Sequence, residues 1–286
     1  MKAERFYWFK IALKLKASVI PAIYNRVILC GVFGVFISLL YYFNLPVSYP
    51  IFQNVIPSIV LGLLLVFRTN TAYERFWEGR KSWGSLVNNV RNLARQMWVG
   101  VVEQIPSDRK EKISALRLLI AFAVATKLHL RGEAVNGELD ELLSHDRCFK
   151  LKSMNNPPLE VAFWIGDYLQ QQYNCDRLDA YQLAAMQKLL NNMVDNLGAC
   201  ERILKTPMPL AYAIHLKQLL LIYCLLLPFQ MVRDLGFWTG AIVALISFTL
   251  FGIEEIGIEI ENPFGYDAND LPLDAICNTM KRNIED

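Results

Sequence analysis

The sequence has none of the short motifs by which common enzymes hold nucleotides, metals or nucleophiles. It contains no P-loop, GxGxxG, HExxH or GxSxG pattern. Its three histidines (His129, His145 and His215) are far apart, and its six cysteines are scattered without a CxxC pair. We therefore predict neither an enzyme nor a bound cofactor, and we expect free or buried thiols rather than a metal site.

An excess of one charge sign is also missing. The 29 Lys and Arg residues nearly balance the 27 Asp and Glu residues, and no basic run alternates with aromatic residues. We expect no nucleic-acid partner, because such proteins concentrate positive charge on one face. What is plentiful is apolar residues, which make up 54% of the chain against roughly 45–50% in soluble domains.

The apolar residues are concentrated in two pairs of segments, 27–43 with 55–67 and 207–231 with 236–253. The first segment is near the lower length limit for a helix that crosses ~30 Å of hydrocarbon. The second is too short by itself. Because no Lys, Arg, Asp or Glu occurs anywhere in 27–67, we interpret it as a span shielded from lipid by neighbouring helices. We predict an all-α integral membrane protein with four membrane segments in two hairpins.

The middle of the chain is charged throughout and indicates amphipathic helices, with helix starts at 106–108 and 155–158. Residues 114–126 are apolar, but they are few and include Arg117, so we expect them to be buried in protein. The predicted divisions are the amino-terminal segment and first hairpin (1–67), a cytosolic helical domain (68–205), the second hairpin (206–255) and a cytosolic tail (256–286).

The distribution of basic residues predicts the topology. Six Lys and Arg residues precede the first span, whereas the loop 44–54 has none. The positive-inside rule then places the amino end in the cytoplasm, and an even number of spans places the carboxyl end there too. We expect no cleaved signal peptide, because no small-residue cleavage site follows a suitable apolar stretch.

One stripe of residues has two interpretations. Val55, Ile59, Leu63 and Phe67 recur every four positions and so share one side of a helix. The stripe could pack into a helical core. Alternatively, several copies around an axis would form apolar rings that gate a pore by dewetting. The polar residues that follow, 68–81, would be a solvated helix face in the first case and a vestibule lining in the second.

Two motifs resemble a known family. Residues 67–84, FRTNTAYERFWEGRKSWG, resemble the signature of prokaryotic bestrophins, and residues 261–265, ENPFG, are similar to that family's Asn-Pro-Phe-Gly-acidic segment. Together with the two-hairpin layout, the motifs cover nearly the whole chain. The resemblance implies a homopentameric channel around a single axial pore in the bacterial inner membrane. Its expected partners are other copies of itself, monovalent ions and membrane lipid.

The resemblance also assigns pore residues. Matching the family's Arg-aromatic-Trp element to residues 75–77 places the hydrophobic neck on three residues of the stripe, Ile59, Leu63 and Phe67. A narrow cytosolic aperture is expected near 177–182, with Leu178 as the predicted residue. Ordinary helix packing is the alternative role for Leu178.

The acidic segment departs from the animal pattern. In animal bestrophins, the acidic run after Asn-Pro-Phe-Gly helps to bind calcium. Here only two carboxylates, Asp267 and Asp270, follow Asn262 closely, whereas Ca²⁺ takes 6–8 oxygen ligands. We predict an ion site or tail anchor at Asn262, Asp267 and Asp270, with the tail-anchoring role favoured and no calcium gating.

The ion sign is not determined by the neck, because rings of Ile, Leu and Phe carry no charge. Prokaryotic bestrophins can prefer monovalent cations, so the resemblance favours cations such as sodium. The alternatives are an anion (chloride) channel and a non-conducting, membrane-anchored scaffold.

Overall fold

The computed structural model describes residues 10, 13–15, 17–49 and 56–285. These residues fold into α-helices and one short 3-10 helix, without a β-strand. The helices are α1 (Ile20–Tyr42), α2 (Ile56–Gly100), α3 (Pro106–Arg131), α4 (Gly137–Asp140), α5 (His145–Lys152), α6 (Pro157–Asn174), α7 (Ala180–Lys205) and α8 (Leu210–Leu235), then the 3-10 helix Gly236–Trp238, α9 (Thr239–Glu259) and α10 (Leu273–Glu285).

The chain divides into two compact units. The first unit comprises Met1–Phe76, Pro207–Asn262 and Asp267–Asn269, and the second comprises Trp77–Thr206, Pro263–Tyr266 and Asp270–Asp286. The predicted division at 67/68 followed the end of an apolar run. The structure divides inside α2, nine residues later, because the helix continues without a break through the change in polarity.

The predicted segments correspond to longer helices. The first begins at Ile20 with Pro21 in its first turn, where a missing N–H costs nothing. Residues 56–67 of the second run form the start of the 45-residue helix α2, and Val55 lies outside the described residues. The shortness of this run is therefore explained by a polar continuation of the same helix.

The second hairpin turns later than expected. The predicted segments 207–231 and 236–253 leave residues 232–235 for the turn, but Arg233 and Asp234 belong to the last turn of α8. The chain reverses at Gly236, whose φ of 52° is open to glycine at little cost.

Four stretches of the described chain are long and apolar enough to cross a membrane: α1, α2, α3 and Leu210–Glu259, which contains α8 and α9. The most apolar part of α3 is 78% buried, against 22–33% for the other three. We therefore interpret α3 as the core helix of the second unit, in agreement with the predicted burial of 114–126. The remaining membrane segments are α1, the first part of α2, α8 and α9.

Small residues bring α1 and α9 together in the first unit. A Cβ atom added to Gly34 would lie only 2.8 Å from the Gly240 Cα. The Ser38 hydroxyl donates to the carbonyls of Gly34 (2.9 Å) and Gly236 (3.0 Å). Such close backbone approach is typical of helices that pack in lipid, where small residues rather than apolar bulk allow contact.

The second unit is organised around α3. Its buried residues include Leu119, Ile120 and Phe122, and the helices that contact it include α4, α6, α7 and α10. All six cysteines are free, as predicted, and only Cys175 is exposed. Burial raises the pKa of the Cys200 thiol to about 12, which leaves it protonated and unreactive.

Candidate pore-lining stripe and the motif segment

Two faces of α2 have different surroundings in the first unit. Leu61 and Leu65 are buried in the core with residues of α1, α8 and α9. Ile59, Leu63 and Phe67 are 54%, 52% and 62% exposed. The stripe that the spacing identified is therefore not used for packing inside the chain. An apolar surface left open in this way is available to lipid or to other copies of the protein.

The neighbouring face of α2 is also open. A Cβ atom added to Gly62 would meet nothing within 4 Å. No other helix of the described chain therefore packs closely at Gly62.

Arg68, directly after Phe67, turns towards the interior. Only 3% of it is exposed, and its guanidinium donates to the Glu261 carboxylate (3.2 Å) and to the Met208 sulfur (3.4 Å). Gly257 leaves room for it, because a Cβ atom there would lie 3.2 Å from the Arg68 Nε. Residues 68–81 were predicted as a solvated or vestibule-lining segment. At Arg68 the structure differs, because the partly buried Glu261 carboxylate compensates the cost of removing this charge from water.

Glu261, the first residue of the ENPFG motif, holds several parts of the first unit together. Besides Arg68, its carboxylate accepts a hydrogen bond from the Met208 backbone N–H (2.8 Å), just before α8. Its backbone carbonyl accepts from Arg75 Nε (3.3 Å). The motif therefore fixes α2 immediately after the stripe. Sequence reasoning missed this role, because nothing in the spacing links residues 193 positions apart.

The rest of the motif packs into the second unit. Phe264 is fully buried, and Gly79 makes space for the motif, since a Cβ atom there would lie 2.9 Å from Pro263 Cγ. Arg131 donates to the Phe264 carbonyl (3.2 Å) and lies 4.0 Å from the centre of the Tyr266 ring. These contacts give both motifs, 67–84 and 261–265, a structural role.

The predicted acidic site is not assembled as a metal centre in the described residues. Asn262 and Asp267 are exposed in the first unit, and Asp270 is half-buried in the second. The described part of the chain contains no group of three or more His, Cys, Asp and Glu side chains that could hold a metal ion. A role of the three residues in ion binding or tail anchoring stays a prediction.

A different carboxylate, Asp274, anchors the tail in the second unit. It accepts hydrogen bonds from Lys127 (2.7 Å) and Arg131 (2.9 Å) of α3, and Lys127 also donates to Glu138 (2.7 Å). Partial burial opposes ionisation of Asp274, but the two cations outweigh it and hold the pKa of this carboxyl below its ordinary value. Sequence reasoning missed Asp274.

Packing reinforces this anchor. Leu273, Cys277 and Met280 are buried along one side of α10. Their i, i+4, i+7 spacing is the signal that could have identified the docked helix from the sequence.

The predicted aperture residue lies in the turn between α6 and α7. Leu178 is 5% exposed, whereas Tyr181 is 89% exposed. Asp179 caps α7 by accepting from the Gln182 N–H (2.8 Å), and Arg177 pairs with the buried Asp108 (2.7 Å). The burial of Leu178 favours its packing role within the chain. Of these residues, Tyr181 has the side chain that projects freely.

Comparisons with known proteins agree with these features. The model of the bacterial and fungal bestrophin family matches residues 1–286. A protein of Nostoc sp. (strain PCC 7120), named as a voltage-dependent anion channel-forming protein, is 73% identical over 286 residues, which is 100% of this chain and 93% of the relative. A Synechocystis sp. (strain PCC 6803) protein with the same descriptive name is 58% identical, covering 98% of this chain and 91% of the relative.

Solved structures give the same result for the fold. A bacterial bestrophin homologue from Klebsiella pneumoniae is 30% identical and superposes with a TM-score of 0.84, covering 92% of this chain and 97% of that one. The family and the channel names of the relatives point to a channel rather than an enzyme, and their names point to anions rather than the expected cations. The chain is a multi-pass membrane protein, and it belongs to the bacterial and fungal bestrophin family.

Proposed function

We propose that this protein is one subunit of a homopentameric ion channel in the bacterial inner membrane, with a hydrophobic neck formed by Ile59, Leu63 and Phe67. The observation that carries the proposal is the stripe itself. Three large apolar residues, spaced every four positions on a helix whose opposite face is buried, remain more than half exposed within the chain. Rings of such residues around an axis restrict conduction because the side chains are large and apolar, without contacting the ion.

The open surface of α2 supports the proposed self-association. The stripe and the open face at Gly62 have no partner inside the described chain. A mass measurement of the purified protein in detergent is expected to give five copies. A monodisperse monomer or dimer would contradict the pentamer and favour the scaffold alternative.

Truncating the neck tests the pore. In planar bilayers, we expect Leu63→Ala and Phe67→Ala to raise single-channel current or open probability, because each would widen an apolar ring in every subunit. Ile222→Ala is a matched control, since Ile222 is a similarly exposed apolar residue (53%) on α8. If the neck variants conduct like Ile222→Ala while the oligomer stays intact, the stripe is only a packing surface.

For the ion sign, we propose monovalent anions such as chloride. The support is the descriptive name of the two relatives that are 73% and 58% identical. One feature of the chain favours cations instead. Glu74 is exposed eleven residues after Leu63, on the same helix face, and is the first charged residue there after the neck.

Reversal potentials in a salt gradient distinguish the two selectivities. Anion selectivity predicts a reversal potential near the chloride equilibrium potential in wild type and in Glu74→Gln. If the wild type reverses near the cation potential and Glu74→Gln moves it towards chloride, the channel prefers cations and Glu74 contributes to that preference.

The aperture is proposed for the turn before α7. Because Leu178 is buried and Tyr181 is exposed, we expect Tyr181→Ala to change conductance more than Leu178→Ala at equal protein stability. The reverse order would support the original assignment to Leu178.

A further inference from the structure

The second unit contains a cavity that the channel proposal does not use. Its volume is about 620 Å³, within the roughly 300–1,000 Å³ typical of small-molecule sites. Residues of α2 and α3 line it, together with the end of α10. Three of the lining residues are arginines, Arg91 and Arg95 from α2 and Arg117 from α3.

These arginines lack compensating charges. All three are exposed, and in the part of the chain that the structure describes none of their guanidinium groups has an ion-pair or hydrogen-bond partner. Glu285 is the single acidic residue in the lining, so three Arg minus one Glu leaves a charge of +2. Arg91 and Arg95 are one helical turn apart, where like charges repel mildly. A bound anion would remove that cost.

The same two helices also contribute apolar residues to the lining. Leu116 and Ile120 are buried, while Trp98 and Ile113 are 43% and 40% exposed. The site therefore combines three cationic side chains with an aromatic and aliphatic surface. Its neighbour Arg109 already lies 5.0 Å from the centre of the Trp98 ring, which keeps the indole oriented by a cation–π contact.

We propose that this cavity binds an organic phosphate, with the phosphate on Arg91, Arg95 and Arg117 and an apolar or aromatic body against Trp98. A phosphomonoester dianion matches the charge of the lining, and guanidinium groups bind phosphate oxygens through paired N–H donors. A soluble phosphomonoester and a lipid with a phosphomonoester headgroup both offer this chemistry.

Calorimetry on the full-length protein in detergent tests the site, with 1-naphthyl phosphate and inorganic phosphate as probes. We expect naphthyl phosphate to bind at least about tenfold more tightly, because only it can use the apolar lining residues. Arg95→Gln and Arg117→Gln should each weaken binding about tenfold or more, since each removes charge-assisted hydrogen bonds. Arg147→Gln is the matched control: Arg147 lies 5.2 Å over the ring of Trp164, another Arg–Trp contact, away from the cavity.

If dihexanoyl phosphatidate competes with naphthyl phosphate, the ligand of the cavity is a lipid. If it does not compete, the ligand is a soluble phosphate. Both outcomes support the site. Equal binding of the two probes, no binding, or binding unchanged by the arginine variants would overturn the proposal. So would a loss of oligomer mass in Arg95→Gln with no loss of probe binding, because the arginines would then form a subunit contact. If Arg95→Gln fails to fold, Arg95→Lys, which keeps the charge without the paired donors, should bind more weakly than wild type. Because no current is measured, these outcomes are independent of the channel proposal.

Discussion

Lys127 allows a quantitative test of how the tail is anchored. Its side chain is buried in α3, yet it contacts two carboxylates, Glu138 at 2.7 Å and Asp274 at 2.7 Å. Both carboxylates are about half exposed, at 47% and 55%. Removing either one leaves the ammonium group with the other. Removing both leaves a buried charge with no counter-charge.

The two situations differ in free energy. For the contact with Lys127, we expect Glu138→Gln and Asp274→Asn each to cost about 1 kcal/mol, because solvent screens half-exposed partners. Asp274→Asn also removes the carboxylate that pairs with Arg131 at 2.9 Å, but this loss is common to the single and the double variant and cancels in the comparison. The double variant should cost about 3–5 kcal/mol, the range for a buried charge deprived of its partner. The excess over the sum of the single effects is therefore about 1–3 kcal/mol, as expected for residues that share one contact.

Thermal unfolding in detergent measures this difference. With roughly 2–4 °C per kcal/mol for chains of 150–250 residues, the double variant should lower Tm by about 6–20 °C. Glu141→Gln is the matched control, because Glu141 pairs on the surface, at 2.9 Å, with Lys281, which lies on the same helix as Asp274. This variant should change Tm little. If the double variant loses no more than the sum of the single variants, Lys127 is better hydrated than its burial indicates and the reasoning is wrong.

Further predictions concern pH, calcium and topology. The pKa of Asp274 is lowered in the folded state, so its contribution to stability is present above its unfolded pKa of about 3.9 and is lost as pH falls through the folded value. Between pH 6 and pH 3, the melting temperature should therefore fall less steeply for Asp274→Asn than for wild type. The wild-type current should be nearly independent of calcium. The double variant Asp267→Asn with Asp270→Asn should weaken docking of the tail, measured by limited proteolysis, more than it changes gating. Saturable activation by micromolar calcium that the double variant loses would contradict this. A cysteine at Val47 should react with an external thiol reagent while one at Lys2 should not, and the reverse pattern would overturn the predicted cytoplasmic termini.

The sequence alone was sufficient for the membrane class, the helical fold and the family. Long uncharged runs predict membrane helices without a structure, because hydrocarbon excludes charges and a helix satisfies its own backbone hydrogen bonds there. The four-residue spacing of Ile59, Leu63 and Phe67 was likewise readable, since one helix determines which side chains share a face. The motifs at 67–84 and 261–265 then identified the family, as the comparison over residues 1–286 confirmed.

Only the tertiary structure decided which polar residues are buried and which apolar ones are exposed. Arg68 was predicted from local pattern to belong to a polar segment, and Leu178 was assigned to the aperture by the family resemblance; within the chain both are buried. The environment of Arg68 depends on Glu261, which folding places beside it from 193 positions away in the chain. Asp274 became the tail anchor for the same reason, because its partners lie 147 and 143 residues away in the chain. Helical periodicity describes neighbours within a few turns, whereas pairing of a buried charge depends on whichever residue the rest of the chain places beside it.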